Sequence, residues 1–373
     1  MGFWACTLED LEMMYANTYQ NRRVLVTGHT GFKGSWLTLW LTKMGAKVTG
    51  VSLPPQTAPS HWSMLGLDVE SLYVDIRDET LLRKTIVKAK PEIVFHLAAQ
   101  PLVRRSYRNP LETWAINVMG TANVLDACRH VDNLAAMVVV TTDKCYENKE
   151  WIWGYREVDS LGGHDPYSAS KGAAELVAAS YRNSFFNTPG SPLLATARAG
   201  NVIGGGDWSE DRLIPDLVRS IEACKALEIR SPLATRPWQH VLECLSGYLM
   251  LGQQLLEKDA AFAQAWNFGP EREGNRQVKN VLAELKMSWP KVEWNFSDTL
   301  QPHEAQLLHL DSSKARERLL WRPVWTFNEG IAATAAWYRA WMEMKEVVSA
   351  IQLRSYIKLA NESGLSWAGS AHV

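Results

Sequence analysis

The sequence predicts a doubly wound α/β fold: a parallel (Rossmann) sheet with helices on both faces, joined to a smaller C-terminal α/β lobe. Three observations predict it. Short runs of apolar and β-branched residues alternate with helical stretches through residues 1–200. The first such run leads directly into a glycine-rich loop that opens a helix. Hydrophobic residues make up 46% and charged residues 21% of 373 positions, which suits a globular chain long enough to bury a large core.

Residues 23–27 read as a short buried strand, and residues 35–44 as an apolar helix. Further strands are expected at 46–52, 72–75, 93–98 and 136–142, separated by helices such as 80–90 and 117–130. Right-handed crossovers between such strands give the doubly wound arrangement. Residues 167–182 form one long alanine-rich helix, and 195–198 a sixth strand, which the glycines at 204–206 end. The pattern then becomes mixed, with helices at 214–227 and 239–256 and a returning strand at 266–269. The expected division is a cofactor-binding domain over 1–200 and a substrate lobe over 201–373, with segments near 237–270 returning to the first domain. No internal repeat is present, and the small polar residues 363–373 are expected to fray.

Composition narrows the function. Lys and Arg total 39 against 40 Asp and Glu, so no basic excess points to nucleic acid or to an acidic membrane surface. Any anion site must be local. The five cysteines are odd in number and form no Cys-x-x-Cys pair, against a disulfide framework and against a metal site. Residues 1–21 carry no basic signal-peptide start, and no apolar run is long enough for a bilayer. A cytoplasmic location is expected. Many of the 17 tryptophans fall late, including Trp289, Trp294, Trp321, Trp325, Trp337 and Trp341, and read as packing mass in the core or at a subunit contact.

The loop Gly28-His29-Thr30-Gly31-Phe32-Lys33-Gly34 has glycines at i, i+3 and i+6 between a strand and a helix. Glycine allows the tight turn and a close approach to a pyrophosphate, and the helix N-terminus offers free amides to its charge. An acidic residue some 20 positions on would hold the adenine ribose of NAD. Here the second strand ends Thr49-Gly50-Val51-Ser52-Leu53, so only Ser52 is available, and no arginine there favours NADP. Asp75 and Ile76 follow the third strand. Asp75 can face adenine or cap the helix that begins near Asp78. Leu97, Ala98 and Ala99 end the fourth strand with residues that let backbone pass near a cofactor.

Tyr167 and Lys171 lie at i and i+4, on one helix face. A free phenol has a pKa of about 10, and a neighbouring ammonium lowers it towards a usable base. Alone, the pair would more often be a surface feature. Thr141-Thr142-Asp143-Lys144 changes that reading, because it ends the fifth strand on the carboxyl edge where ligands bind. Thr142 can bond the reacting oxygen. Asp143 and Lys144 can serve as acid and base, or simply pair with one another.

These phrases together resemble the extended short-chain dehydrogenase/reductase family. The resemblance rests on the TGxxGxxG loop, the His96-to-Gln100 strand end, Asn117, the Thr after the fifth strand and the Tyr-x-x-x-Lys pair, and spans nearly the whole chain. It is closer still to the nucleotide-sugar 4,6-dehydratases that act on CDP-glucose, through residues 28–36, 98–104, 142–146, 198–208 and 236–241. What the resemblance implies is NAD as cofactor, oxidation at C4, elimination of water across C5 and C6, and hydride return to C6. It implies Lys144 as the C5 base and Asp143 as the acid for the C6 oxygen, and adds Asn117 and Lys171 to the cofactor site. Gln100, Asn201, Arg212, Arg236 and His303 become candidates for holding CDP-glucose, Arg236 also because it precedes Pro237-Trp238 in what suits an ordered loop over a phosphate. The choice of cytosine rests on resemblance alone. A deoxysugar pathway such as that of O-antigen, and a homodimer or homotetramer paired through helices 117–130 and 167–182, are likewise implied. The alternatives are another nucleotide-sugar dehydratase or a 4-epimerase of the same fold, and a non-catalytic NAD-sensing protein. An epimerase has no need of Asp143 and Lys144, and a sensor has no need of Tyr167 or Lys171.

Overall fold

The computed structural model describes residues 14–296 and 307–369. Its centre is a seven-stranded sheet in the order β3-β2-β1-β4-β5-β6-β10, parallel throughout. The strands are β1 (Arg23–Thr27), β2 (Lys47–Ser52), β3 (Glu70–Tyr73), β4 (Ile93–His96), β5 (Ala136–Val140), β6 (Leu193–Ala199) and β10 (Ala265–Phe268). Strands covered on both faces need no polar alternation, and β1, β4 and β5 accordingly read as near-continuous apolar runs.

On one face lie α2 (Glu79–Ala89), α3 (Thr121–Cys128) and α4 (Pro166–Phe185). On the other lie α1 (Phe32–Lys43) and α6 (Val241–Leu256). Helix α1 is apolar all round because it is covered all round: Trp36, Leu37, Trp40 and Leu41 are fully buried. The expected helix over 117–130 is interrupted. A π-helical turn spans Ala115–Gly120 before α3 begins, and a Cβ at Gly120 would meet Ile76 Cδ1 at 2.5 Å. The expected helix over 239–256 starts later, at Val241, because residues 239–240 complete a strand and His240 caps the helix through its ring nitrogen.

The second lobe has a three-stranded sheet of β7 (Asn201–Ile203), β9 (Thr235–His240) and β11 (Asn275–Gln277). A parallel pair, β8 (Leu227–Ile229) with β12 (Trp294–Phe296), lies beside α5 (Leu213–Glu222). Helices α7 (Val278–Ser288), α8 (Phe327–Met344) and α9 (Ser349–Glu362) complete it.

Residues 363–369 do not fray as expected, and residues 370–373 lie outside the described residues. Trp367 is buried, stacked on Tyr15 and Tyr356 and edge-on to Trp40, so residues 363–369 close over α1. One large aromatic side chain outweighs a polar flank. Among the described residues no helix is long and apolar enough to cross a membrane.

Candidate active site

The carboxyl ends of the strands open into a cavity of about 1650 Å³ that runs from the glycine loop to β8 and α7. Its rim is set by a buried polar chain. Thr27 Oγ1 accepts from the amides of Leu97 and Ala98 at 3.2 Å, so its one proton goes to His96 Nδ1 at 2.7 Å. His96 Nε2 then donates to Thr121 Oγ1 at 3.1 Å, whose proton goes to Asn117 O. Every member is satisfied, which locks the ends of β1 and β4 and leaves His96 no place for a second proton.

The loop after β1 fits a dinucleotide. Gly28 has φ +76°, and a Cβ there would lie 2.7 Å from Ala98 N. A Cβ at Gly34 would fall 2.0 Å from Gly28 O, so helix and loop meet backbone to backbone. Gly31 starts α1 without a side-chain cap, and Gly28, Thr30, Gly31, Phe32, Lys33 and Gly34 all line the cavity. The first amides of α1 therefore face open space, an anion cradle. Ser52, Asp75, Ile76, Leu97, Ala98 and Ala99 line the same end. Ser52 is bonded to Thr30 Oγ1 at 2.7 Å. Asp75 is not the cap of α2: Asp78 takes that place, accepting from Leu81 N, while Asp75 pairs with Arg77 at 2.6 Å. The guanidinium holds the Asp75 carboxyl below its ordinary range.

At the other side of the loop stand the chemical groups. Asp165 caps α4 by accepting from Ser168 N, and Pro166 fills the first position, so Tyr167 is fixed in the opening turn. Its hydroxyl shares the cavity with Thr142. Lys171, one turn on, donates to Val140 O at 3.3 Å. Burial, then the nearby Lys33, brings the Lys171 ammonium down to about 8. The expectation that this lysine lowers the phenol is not met in the free protein. Burial dominates and pushes Tyr167 up to about 12, against the pull of Thr142 and Arg212.

Thr142 also donates to Asp143 Oδ1 at 2.9 Å. Asp143 is 2% exposed, and its Oδ2 has no hydrogen-bond partner among the described residues. Burial raises its pKa, opposed by Lys144, Thr142, Arg236 and Lys33. A buried carboxyl with one idle oxygen is a proton donor in waiting. Beneath it Glu175 accepts from Thr141, Thr196 and Arg198, and Arg198 reaches Tyr146 at 2.7 Å. Burial favours the neutral acid, yet Arg198 and the two hydroxyls hold the Glu175 carboxyl below its ordinary range. This brace ties α4 to β5 and β6.

A family model described as GDP-mannose 4,6 dehydratase matches residues 25–334. The chain belongs to the GDP-mannose 4,6-dehydratase family. It is 50% identical over 343 residues to CDP-glucose 4,6-dehydratase of Salmonella typhimurium, covering 90% of this chain and 96% of that protein. It is 26% identical to dTDP-glucose 4,6-dehydratase of Xanthomonas campestris pv. campestris, over 84% of this chain and 92% of that one. Among solved structures it resembles epimerase Mth375 of Methanothermobacter thermautotrophicus, with TM-score 0.77 at 25% identity over 90% and 96% of the two chains. UDP-glucose 4-epimerase of Thermotoga maritima shares the fold, with TM-score 0.73 at 21% identity over 86% and 99%. These likenesses fall in the epimerase and dehydratase group of the extended short-chain dehydrogenases/reductases.

In this member of the GDP-mannose 4,6-dehydratase family the expected site residues divide by position. Thr142, Asp143, Lys144, Tyr167 and Lys171 share the cavity with Asn201, Arg212 and Arg236. Arg212 is tied to Asp207 at 3.0 Å, and its charge acts on Tyr167, so it stands nearer the chemistry than expected. Gln100 also lines the cavity, but its side-chain amide is engaged by Leu102 and Thr113. Asn117 is behind the cavity wall, joining the backbone of Gln100 to Ser170 Oγ of α4 at 2.8 Å. His303 lies outside the described residues. Sequence reasoning missed the Glu175–Arg198 brace, although Glu175 follows Lys171 by one helical turn.

Proposed function

We propose that this chain is an NAD-dependent CDP-glucose 4,6-dehydratase. It converts CDP-glucose to CDP-4-keto-6-deoxyglucose and water. The observation that carries the reading is the buried Asp143 with its idle oxygen, next to Lys144 and in one chamber with Thr142, Tyr167 and Lys171. A 4-epimerase needs the last three alone. The 50% identity to a CDP-glucose 4,6-dehydratase supports the substrate. NAD, when bound, supplies the hydride acceptor at C4 and the donor at C6. The residues that would hold it are Gly28, Thr30, Gly31, Phe32, Lys33 and Gly34 at the diphosphate and Ser52, Asp75 and Ile76 at the adenosine end. Leu97, Ala98, Ala99, Tyr167 and Lys171 would hold the nicotinamide end, with Asn117 supporting the wall from behind.

Tyr167, in one chamber with Thr142, takes the C4 hydroxyl proton. Its buried phenol needs the positive charge of the loaded site to act as a base near neutrality. The C4 ketone acidifies C5. Lys144 removes the C5 proton, and Asp143 protonates the departing C6 oxygen. Asn201, Arg212, Arg236, Gln100 and His303 are proposed for the sugar and diphosphate. Residues 1–200 would carry the cofactor and 201–373 mainly the nucleotide sugar, with 237–270 returning to the first domain as α6 and β10 do. Exposed Leu111, Trp114, Met119 and Leu176 on and beside the helices of the α3–α4 face support a homodimer or homotetramer built on two-fold contacts. Location in the cytoplasm and supply of a deoxysugar, as for O-antigen, complete the proposal. The test is incubation with CDP-glucose and NAD, followed by mass analysis. A product lighter by one water is expected. Unchanged substrate mass, with or without epimerisation, overturns the reading.

A further inference from the structure

The turn Asp143–Cys145 carries the two groups assigned to elimination, and one arginine pins the chain on both sides of it. Arg198 of β6 is 3% exposed and uses both ends of its guanidinium. Nη2 donates to Glu175 Oε2 at 2.8 Å, and Glu175 Oε1 accepts from Thr141 Oγ1, ahead of the turn. Nη1 donates to Tyr146 Oη at 2.7 Å, just beyond the turn. Tyr146 is buried, and the guanidinium carbon lies 4.9 Å from the centre of its ring.

The chain of bonds continues past Tyr146. Asn267 of β10 is buried and donates from Nδ2 to Tyr155 O at 2.8 Å and to Asp311 O at 3.0 Å. Its Oδ1 is therefore the atom turned to Tyr146, 2.8 Å from Oη. Burial raises the Tyr146 pKa, so the hydroxyl keeps its proton and donates it to Asn267. Oη thus accepts once and donates once, between partners fixed on two strands of the central sheet.

We propose that Tyr146 is a positioning residue for elimination: its hydroxyl, held between Arg198 and Asn267, fixes the turn that presents Asp143 and Lys144. The proposal rests on the dehydratase reading. Oxidation at C4 uses groups that are anchored elsewhere. Tyr167 and Lys171 belong to α4, and Thr142 follows Thr141, which Glu175 holds. Loss of the Tyr146 hydroxyl frees the far end of the turn alone. Elimination needs an acid and a base placed on adjacent carbons together, and a misplacement of about 1 Å costs on the order of a hundredfold. The second step is therefore the one that depends on Tyr146.

The experiment compares Tyr146→Phe with Tyr155→Phe. The first removes Oη and keeps a ring against Tyr155, whose centroid is 5.2 Å away. The second removes a hydroxyl from the same aromatic cluster, one that serves Lys149 N and Asn148 Oδ1 and does not touch Arg198. In the free protein, hydrogen exchange of the peptide over 142–147 is expected to quicken at least about tenfold in Tyr146→Phe. It should stay as in the wild type in Tyr155→Phe. In a single turnover with CDP-glucose and NAD, Tyr146→Phe should form NADH within about twofold of the wild-type rate. Its reoxidation should slow at least about tenfold, so that bound NADH accumulates. A merely structural tyrosine would lower the melting temperature, or slow both phases alike, as would any loss of folded protein. Unchanged exchange over 142–147, or equal slowing of both phases, overturns the proposal. If Tyr146→Phe does not fold, Asn267→Ser takes its place, since it withdraws the acceptor from the hydroxyl. A wild-type protein that releases no water from CDP-glucose defeats the dehydratase reading, and the exchange measurement still decides whether Tyr146 fixes the turn.

Discussion

Lowering the pH from 7 to 5.5 should destabilise this protein by a few kcal/mol, and the cause can be traced to four histidines. His29, His61, His96 and His240 are all at most 3% exposed. Burial lowers them to about 4 for His29 and about 3 for the others, from an ordinary 6.5. A histidine depressed in the folded state gives stability that is complete above 6.5 and lost as the pH falls. At pH 5.5 each costs a little over ~1 kcal/mol more than at pH 7, so four cost ~5 kcal/mol. Glu243 acts in the opposite direction. It is buried, accepts from the amides of Val324 and Trp325 and from Tyr356, and burial raises it to about 7. The folded state therefore holds a proton there that the unfolded chain gives up, which returns ~2 kcal/mol on acidification. Asp143 and Glu157, also raised by burial, act with Glu243. The net loss is ~3 kcal/mol or less, a large part of an ordinary folding free energy of about 5–15 kcal/mol. Unfolding near pH 6 should take up about two protons. Urea denaturation at a series of pH values reads both quantities. Equal or greater stability at pH 5.5, or proton release on unfolding near pH 6, would refute the reasoning.

Three further outcomes are expected. Gly31→Val should fold once Gly28 O, 3.3 Å from a Cβ there, yields by a few tenths of an ångström, yet its side chain enters the cradle; calorimetry on the folded variant should detect no NAD binding, and retained affinity counts against the loop. Tyr167→Phe removes the hydroxyl that faces the chamber and should cut kcat by at least about a hundredfold with substrate affinity roughly kept, so a near-normal rate removes Tyr167 as the base. Lys144→Ala should reduce bound NAD in a single turnover and then stall before water is lost, seen as a persistent NADH absorbance. Failure to reduce NAD would place Lys144 earlier in the reaction, and normal turnover would assign elimination to another group.

Much of this was legible in the sequence. The strand over 23–27 agrees with β1 residue for residue, and the alternation of apolar runs with helices carried the parallel, doubly wound arrangement but not the strand order. Local patterns report local structure, so boundaries failed where tertiary bonds intervene. The fourth strand stops at His96: the Leu97 amide is shared between Thr27 O and Thr27 Oγ1, and the Ala98 amide turns to Oγ1. The expected helix from 117 begins inside a π turn over Ala115–Gly120, where Gly120 packs against Ile76. The loop and the Tyr–Lys pair were readable because their spacing is their mechanism. The state of the phenol was not, since burial, a property of the whole fold, outweighs a neighbour one helical turn away. Lys33 shows the same limit: sequence places it in the loop, and its side chain reaches Tyr248 of α6.

The aromatic closure of Trp367 over Tyr15 and Trp40 also bears on the order in which the molecule is built. Trp40 belongs to the second element of the first domain, and the ring that seals it is synthesised several hundred residues later. The sheet edge formed by β10 has the same dependence, since its partner β6 must wait for the second lobe to be made. The nascent first domain can therefore gather its strands early but cannot finish its core while the ribosome is still at work. Until the last helices emerge, Trp40 lacks the Tyr356 and Trp367 rings that cover it, and α1 carries an open aromatic patch in that interval.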